Sequence, residues 1–276
     1  MFKKKIKIGL AFGGGGTRGF SHLGAIKAFE EFGIKFDFVA GTSAGSLAGA
    51  FYAAGYNYEK MYEVIKNIKE SDIRKNVIPF TTSKADGIGE VIQKELGDIN
   101  IEELPIPFAA VAVDIKSTKE VAIAKGNLAK AVMGSCAVPG VFQPVIFDEM
   151  ILSDGGLQNT IPADIPKLFG CDYVVAVDVN KSRTYGTDST KFLDVVMCSI
   201  RILMKSNAVR GYTYADVMVA PETKRFKSTK TAGMNEMIEE GYKAAIDVMP
   251  QIMELFSRKK GRKEKIKAPD DLIIIK

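Results

Sequence analysis

Phe36-Asp37-Phe38-Val39-Ala40-Gly41-Thr42-Ser43-Ala44-Gly45 is the stretch on which the fold turns. An apolar run from Phe36 to Ala40 meets the G-x-S-x-G sequence Gly41 to Gly45, and a helical pattern then continues to Ala54 with Gly55 as its stop. Strand, sharp turn and helix in that order describe a nucleophile elbow. Such a turn needs small residues two before and two after the serine, because larger side chains would strike the neighbouring strand or helix. It presents Ser43 at a helix N-terminus, where backbone N–H groups and the helix dipole favour developing negative charge. In a chain with 26 glycines the pattern also arises by chance, so it needs support from elsewhere.

Upstream, Ile6 to Phe12 reads as a buried strand running into Gly13 to Gly19, with a helical pattern from about Arg18 to Phe32. Downstream, Tyr58 to Lys69 and Ile88 to Leu96 read as helices. The polar, aperiodic segment between them, about Ser71 to Asp86, is expected to be a solvent-facing excursion and is the candidate for a lid. Phe108 to Ile115 and Glu120 to Ala124 read as paired strands around Lys116 to Lys119, and a helical stretch leads from Leu128 to Pro139-Gly140. Ile151 to Ser153 is too short to assign by pattern. Tyr173 to Val179 is a continuous run of the kind found in central parallel strands, and Asp216 to Ala220 repeats its character more weakly. Helical patterns at Phe192 to Asn207 and Met234 to Phe256 complete an alternation that predicts an α/β fold, a mostly parallel sheet covered on both faces. A length of 276 residues without a linker-like stretch predicts one domain, 1–276, with a basic C-terminal tail from about residue 258.

Composition narrows the function classes. Hydrophobic residues make up 46% of the chain, as in a globular protein, yet no apolar run approaches the roughly 18 residues of a spanning helix. Lys3, Lys4 and Lys5 ahead of Ile8 to Phe12 imitate a signal peptide, but the apolar part is short and no cleavage pattern follows. Three widely spaced cysteines, Cys136, Cys171 and Cys198, form no metal or redox motif and suit a reduced cytoplasm. Much of the +5 net charge sits in Lys3 to Lys7 and Arg258 to Lys267. The second cluster reads either as a solvated helix end or as an attraction to anionic lipid headgroups at the inner membrane surface, worth about 1 kcal/mol per basic residue. It lacks interleaved aromatics, so nucleic acid is not an expected partner.

The second chemical signal is Gly13-Gly14-Gly15-Gly16-Thr17-Arg18-Gly19, after a strand and opening a helix. A P-loop would need Gly-Lys-Ser/Thr where this chain has Gly19-Phe20-Ser21. A dinucleotide fingerprint is matched by Gly14, Gly16 and Gly19, although Asp37 opens the second strand whereas a ribose-binding acid belongs at its end. The remaining reading is an oxyanion hole, which accounts for both glycine motifs together. Arg18 then adds a fixed charge beside the loop, either to attract an anion and shape the site or merely as half of a surface ion pair.

The third signal begins with an absence. His22 is the only histidine, so a Ser-His-Asp triad would run in the order His, Ser, Asp, which is not the α/β-hydrolase order. His22 is better read as packed and hydrogen-bonded, and a base is sought elsewhere. Asp154-Gly155-Gly156, after the apolar Met150 to Leu152, offers a carboxylate at a strand end, although a lone Asp-Gly is also an ordinary turn.

Taken in order, Gly14 to Gly19, Gly41 to Gly45 and Asp154 to Gly156 resemble the three motifs of the patatin-like phospholipases, most closely their compact bacterial members. The resemblance extends to Ser21-His22-Leu23-Gly24, Ala137 to Phe142 and Met237 to Ala245. It implies a three-layer α/β/α fold and a Ser-Asp dyad without histidine. Ser43 would attack an ester of a phospholipid, lysophospholipid or neutral lipid, Asp154 would take its proton and later activate water, and the backbone of Gly14, Gly15 and Gly16 would form the oxyanion hole beside Arg18. The lipid or acyl ester is the implied partner, and no metal or organic cofactor is implied. Gly156 stands where many members carry alanine. Two rival readings are a nucleotide-binding oxidoreductase using the first glycine loop and a lipid-binding regulator without meaningful turnover.

Overall fold

The computed structural model describes residues 6–67, 85–182, 186–226, 233–258, 261 and 266–276. The expected lid segment and most of the basic cluster after Arg258 fall outside them. Among the described residues nine strands form one mixed sheet: β1 (Ile8–Phe12), β2 (Phe38–Thr42), β3 (Phe108–Asp114), β4 (Lys119–Ile123), β5 (Val145–Phe147), β6 (Met150–Asp154), β7 (Tyr173–Val177), β8 (Val217–Val219) and β9 (Leu272–Ile275). Their order is β5-β6-β3-β2-β1-β7-β8, with β4 on β3 and β9 on β4. The pairs joining β3, β2, β1, β7 and β8 are all parallel.

Alternation along the strands divides the sheet into two unlike faces. Leu10, Phe12, Val39, Val175 and Val177 contribute bulk to the large core, under α1 (Phe20–Glu31), α2 (Ala44–Ala53), α3 (Tyr58–Lys66), α4 (Asp86–Leu96) and α5 (Leu128–Ser135). Ala11, Ala40, Ala109, Ala122 and Ala176 line the other face, whose small side chains admit the short α6 (Asp164–Leu168) and the Ile161 segment beneath α7 (Phe192–Tyr214). Burial on both faces is why these strands read as continuous apolar runs. The three-layer α/β/α expectation holds.

Helix α8 (Met234–Asp247) packs along α1 through facing glycines. A Cβ on Gly24 would fall 1.8 Å from the Ile238 carbonyl oxygen, and one on Gly241 would fall 1.9 Å from that of Ser21. Two stretches that carried the resemblance are therefore a single helix contact. The helix predicted for Met234 to Phe256 is two, α8 and α9 (Met249–Ser257), because Pro250 at the start of α9 cannot donate back into the preceding turn. Three elements that pattern did not reveal are β5, α6 and the C-terminal β9.

One topological detail positions everything that follows. β4 occupies one edge of β3 over Ala110 to Asp114. β2, which pairs with Phe108 to Val111, and β6, which pairs with Ala112 to Asp114, therefore share the other edge. β2 is parallel to β3 and β6 antiparallel, so the two meet C-terminus to C-terminus: Thr42 lies opposite Val111 and Asp154 opposite Ala112.

Candidate active site

Ser43 follows β2 immediately and has φ 54°, ψ −128°, a left-handed conformation that a non-glycine residue adopts only under constraint. The constraint is visible on both sides. A Cβ on Gly41 would fall 2.4 Å from the Gly45 carbonyl oxygen, and one on Gly45 would fall 2.2 Å from that of Phe12, so the turn closes only with glycine at both places. The Ser43 N–H donates to Ser135 Oγ at 2.9 Å, and that hydroxyl donates to the Val111 carbonyl at 2.5 Å. Thr42 Oγ1 donates to the Asn159 carbonyl at 2.8 Å, tying the elbow to the segment after Asp154.

Asp154 ends β6 and is wholly buried. Its N–H donates to the Ala137 carbonyl at 3.0 Å, and Oδ1 accepts the Gly156 N–H at 2.8 Å. Oδ2 has no partner at ordinary hydrogen-bond geometry, yet the Ser43 hydroxyl lies near enough to favour the ionised carboxylate. The contact is thus looser than a formed hydrogen bond. Burial is the larger influence and pushes the Asp154 pKa up to about 6, against the Ser43 and Gly156 donors. Cys136, buried nearby with Sγ 3.8 Å from Ser46 Oγ, is pushed well above the usual thiol range by burial and by the Asp154 charge.

The glycine loop lies against the elbow: a Cβ on Gly14 would sit 3.2 Å from Ser43 Cβ. Here the expectation of three equivalent oxyanion donors needs correction for Gly14. Its N–H donates to the Thr160 carbonyl at 2.9 Å and is not available to a ligand. Asn180 Nδ2 donates to the Gly14 carbonyl at 2.5 Å, and because that peptide is trans, the Gly15 N–H points the opposite way. The N–H groups of Gly15 and Gly16 have no partner among the described residues. Arg18 is buried, donating to Asn180 Oδ1 at 3.3 Å and to the Phe226 carbonyl, so it ties the loop to those two segments.

The His22 ring is bonded to the glycine loop. Nε2 donates to the Gly13 carbonyl at 2.8 Å, the ring packs edge-on to Phe12, and burial lowers its pKa to about 4, so the imidazole is neutral. Asp37, the would-be ribose acid, accepts the Ile8 N–H at 2.9 Å at the N-terminal ends of the strands, across the sheet from the glycine loop. Among the described residues no cluster of three or more His, Cys, Asp or Glu side chains could hold a metal. Ser135 and Asn180 were not legible as site residues. Ser135 lies just before Ala137 to Phe142, and nothing local marks Asn180.

The patatin-like phospholipase family model matches residues 10–167, which contain all three motifs. An uncharacterised NTE family protein of Mycobacterium tuberculosis is 33% identical over 181 residues, covering 64% of this chain and 50% of that protein. A protein of Mycosarcoma maydis named as a lysophospholipase is 27% identical over 282 positions, covering 88% of this chain and 15% of its own length. The chain thus spans about half the length of its mycobacterial relative and a small part of the fungal one. The crystal structure of VipD from Legionella pneumophila superposes with a TM-score of 0.58 at 15% identity, covering 92% of this chain and 67% of that one, a likeness of fold.

Proposed function

The chain belongs to the patatin-like phospholipase family, and from that premise we propose that it is a lipid acyl hydrolase with Ser43 as nucleophile and Asp154 as its base. The observation that carries the reading is the end-to-end meeting of β2 and β6, which brings a strained Ser43 to a buried carboxylate whose second oxygen is otherwise unpartnered. The only histidine is engaged elsewhere.

In the acylation step Ser43 Oγ bonds to the ester carbonyl carbon and its proton passes to Asp154 Oδ2. The carbonyl oxygen takes the negative charge, facing the N–H groups of Gly15 and Gly16 at the start of the first helical turn. Collapse breaks the bond to the alcohol, which takes the proton from Asp154. A water molecule then gives its proton to Asp154 and attacks the acyl carbon. Collapse of the second intermediate returns the proton to Ser43 Oγ and releases the fatty acid. An Asp154 pKa of about 6 leaves the carboxylate ionised at neutral pH, yet far more basic than an exposed aspartate.

The substrate class in this reading is a phospholipid, lysophospholipid or neutral lipid, handled by 1–276 as one domain in the cytoplasm. The basic cluster Arg258 to Lys267 supports peripheral contact with an anionic inner membrane surface. The test is hydrolysis of short and long p-nitrophenyl esters, with fluorophosphonate labelling, by wild type, Ser43→Ala and Asp154→Asn. Turnover and labelling in wild type, with labelling lost in Ser43→Ala and turnover lost in both variants, is the expected result. A Ser43→Ala protein that still hydrolyses ester sinks the proposal.

A further inference from the structure

Helix α7 turns two different faces to its surroundings. Its inner face holds the strand end that carries Asp154. The Met204 methyl packs on Gly156, where a Cβ would fall 2.3 Å from it, and the Met204 carbonyl accepts from Thr160 Oγ1 at 2.6 Å. Asn207 Nδ2 donates to the Leu157 carbonyl at 2.6 Å, and Met197 lies over Gly140. The helix therefore lies directly against the turn that follows Asp154.

Its outer face has no cover among the described residues and is apolar. Phe192 is 79% exposed, Leu203 64% and Val209 68%, with Leu193, Val195 and Ile202 also exposed. Phe192, Val195, Ile202 and Val209 follow a three-and-four spacing that is completed by Ser199, Ser206 and Thr213. Each of those three hydroxyls donates back to the carbonyl four residues earlier, to Val195 at 2.9 Å, Ile202 at 3.3 Å and Val209 at 3.2 Å. The stripe thus shows apolar side chains and hydroxyls whose donors are already satisfied, which suits a surrounding medium unable to accept hydrogen bonds. With Leu203 beside it, the apolar arc spans roughly 120° of the circumference, wider than the two-position seam of a coiled coil. Lys191, Arg201 and Lys205 flank it against one acidic residue, Asp194, whose carboxylate accepts from Ser189 Oγ at 2.5 Å.

We propose that the outer face of α7, from Phe192 to Val209, is the surface by which the protein docks on an anionic lipid bilayer, with the stripe in the acyl-chain boundary and the basic flank at the headgroups. The proposal rests on the lipid reading of the site and deepens it: the helix that covers Gly156 and Gly140 is the one that meets the bilayer, so substrate enters from the interface beside Asp154 and not through water.

The chain contains no tryptophan, so Leu203→Trp introduces a single fluorophore into the stripe. It is placed in the Ser43→Ala background, which makes the signal independent of hydrolysis, and a second protein carries Tyr62→Trp on α3 as a control. Both are titrated with vesicles of phosphatidylcholine and phosphatidylglycerol in a three-to-one ratio, with and without brominated acyl chains. A blue shift and bromine quenching at Leu203→Trp, absent at Tyr62→Trp, support the docking surface. Sedimentation with the same vesicles should show about tenfold weaker partitioning for Ile202→Ser/Leu203→Ser, whose exposed positions leave the melting temperature unchanged. An unshifted Leu203→Trp overturns the proposal. So does a double variant that partitions like wild type, including one that merely turns an oligomer into a monomer, since the stripe would then pair with a second copy. A wild-type enzyme inactive on every ester, with the Leu203→Trp signal intact, sinks the hydrolase reading and leaves the docking surface standing.

Discussion

The Ser135 hydroxyl accepts the backbone N–H of Ser43 at 2.9 Å, so the main chain of the proposed nucleophile is held by a side chain from the end of α5. Ser135 is completely buried and donates its own hydrogen bond to the Val111 carbonyl, beside which Thr42 pairs. Ser135→Ala leaves the Ser43 N–H unsatisfied in a strained turn and should lower stability by about 1–3 kcal/mol. In denaturant melts and ester assays, kcat should fall more than KM changes. An unaffected kcat would show that the elbow holds its shape without this contact.

Strain at Ser43 predicts a difference between two inactive variants. At φ 54° alanine keeps the steric penalty and glycine escapes it, so Ser43→Gly should be more stable than Ser43→Ala by about 1 kcal/mol. Thermal melts at one pH decide it. Equal melting temperatures would mean the turn relaxes once the hydroxyl is gone.

Asp154 predicts opposite pH trends for activity and stability. With a pKa raised from 3.8 to about 6, its neutral form is the one the fold favours, so this contribution to stability is fully present below about pH 3.8 and lost as pH rises through about 6. The loss is about 3 kcal/mol for a shift of about two units. Asp154→Asn should therefore gain stability over wild type between about pH 4 and 7, while wild-type kcat/KM falls as pH drops through about 6. Parallel melting curves for the two proteins across that range would contradict the buried charge.

His22→Asn should cost about 2–4 kcal/mol, because it empties the space beside Phe12 and breaks the bond to the Gly13 carbonyl. Per folded molecule it should keep kcat within about tenfold, with the acid limb still near pH 6. A loss as deep as that of Ser43→Ala, in a folded protein, would make His22 the base.

Asn180→Ala frees the Gly14 carbonyl and with it the orientation of the Gly15 N–H. A fall in kcat of about 10- to 100-fold at nearly constant KM is the expected outcome, since misaimed donors cost transition-state binding and spare the ground state. A KM effect alone would assign Asn180 to substrate contact.

The sequence was most readable where local chemistry and topology coincide. The elbow announced itself because both of its glycines fall within the five-residue G-x-S-x-G pattern, although the contact that requires Gly45 is with distant Phe12, and the buried strands because both their faces are covered. Asp154 was harder: Ile151 to Ser153 looked too short, since β6 is sustained by its hairpin partner β5 and by β3 rather than by its own pattern. Gly14 looked equivalent to Gly15 and Gly16, and only the long-range bond to Thr160 separates them. Ser135 and Asn180 act through contacts 92 and 166 residues distant along the chain, which no local pattern encodes. β9 is a terminal strand recruited by β4, and Pro250 marked a break that helical periodicity runs straight through.

The shared edge of β3 has a further consequence. Because β2 and β6 dock end to end on one strand, the spacing of Ser43 and Asp154 is set by main-chain pairing, with Thr42, just before Ser43, and Asp154 opposite adjacent residues of β3. Sliding either strand by two residues would shift its reactive group by about 6.6 Å. The loops between the two strands are free to grow or shrink under such an arrangement, while the proposed pair keeps its interval. Substitutions elsewhere in the chain would leave this interval unchanged for as long as the two registers on β3 hold.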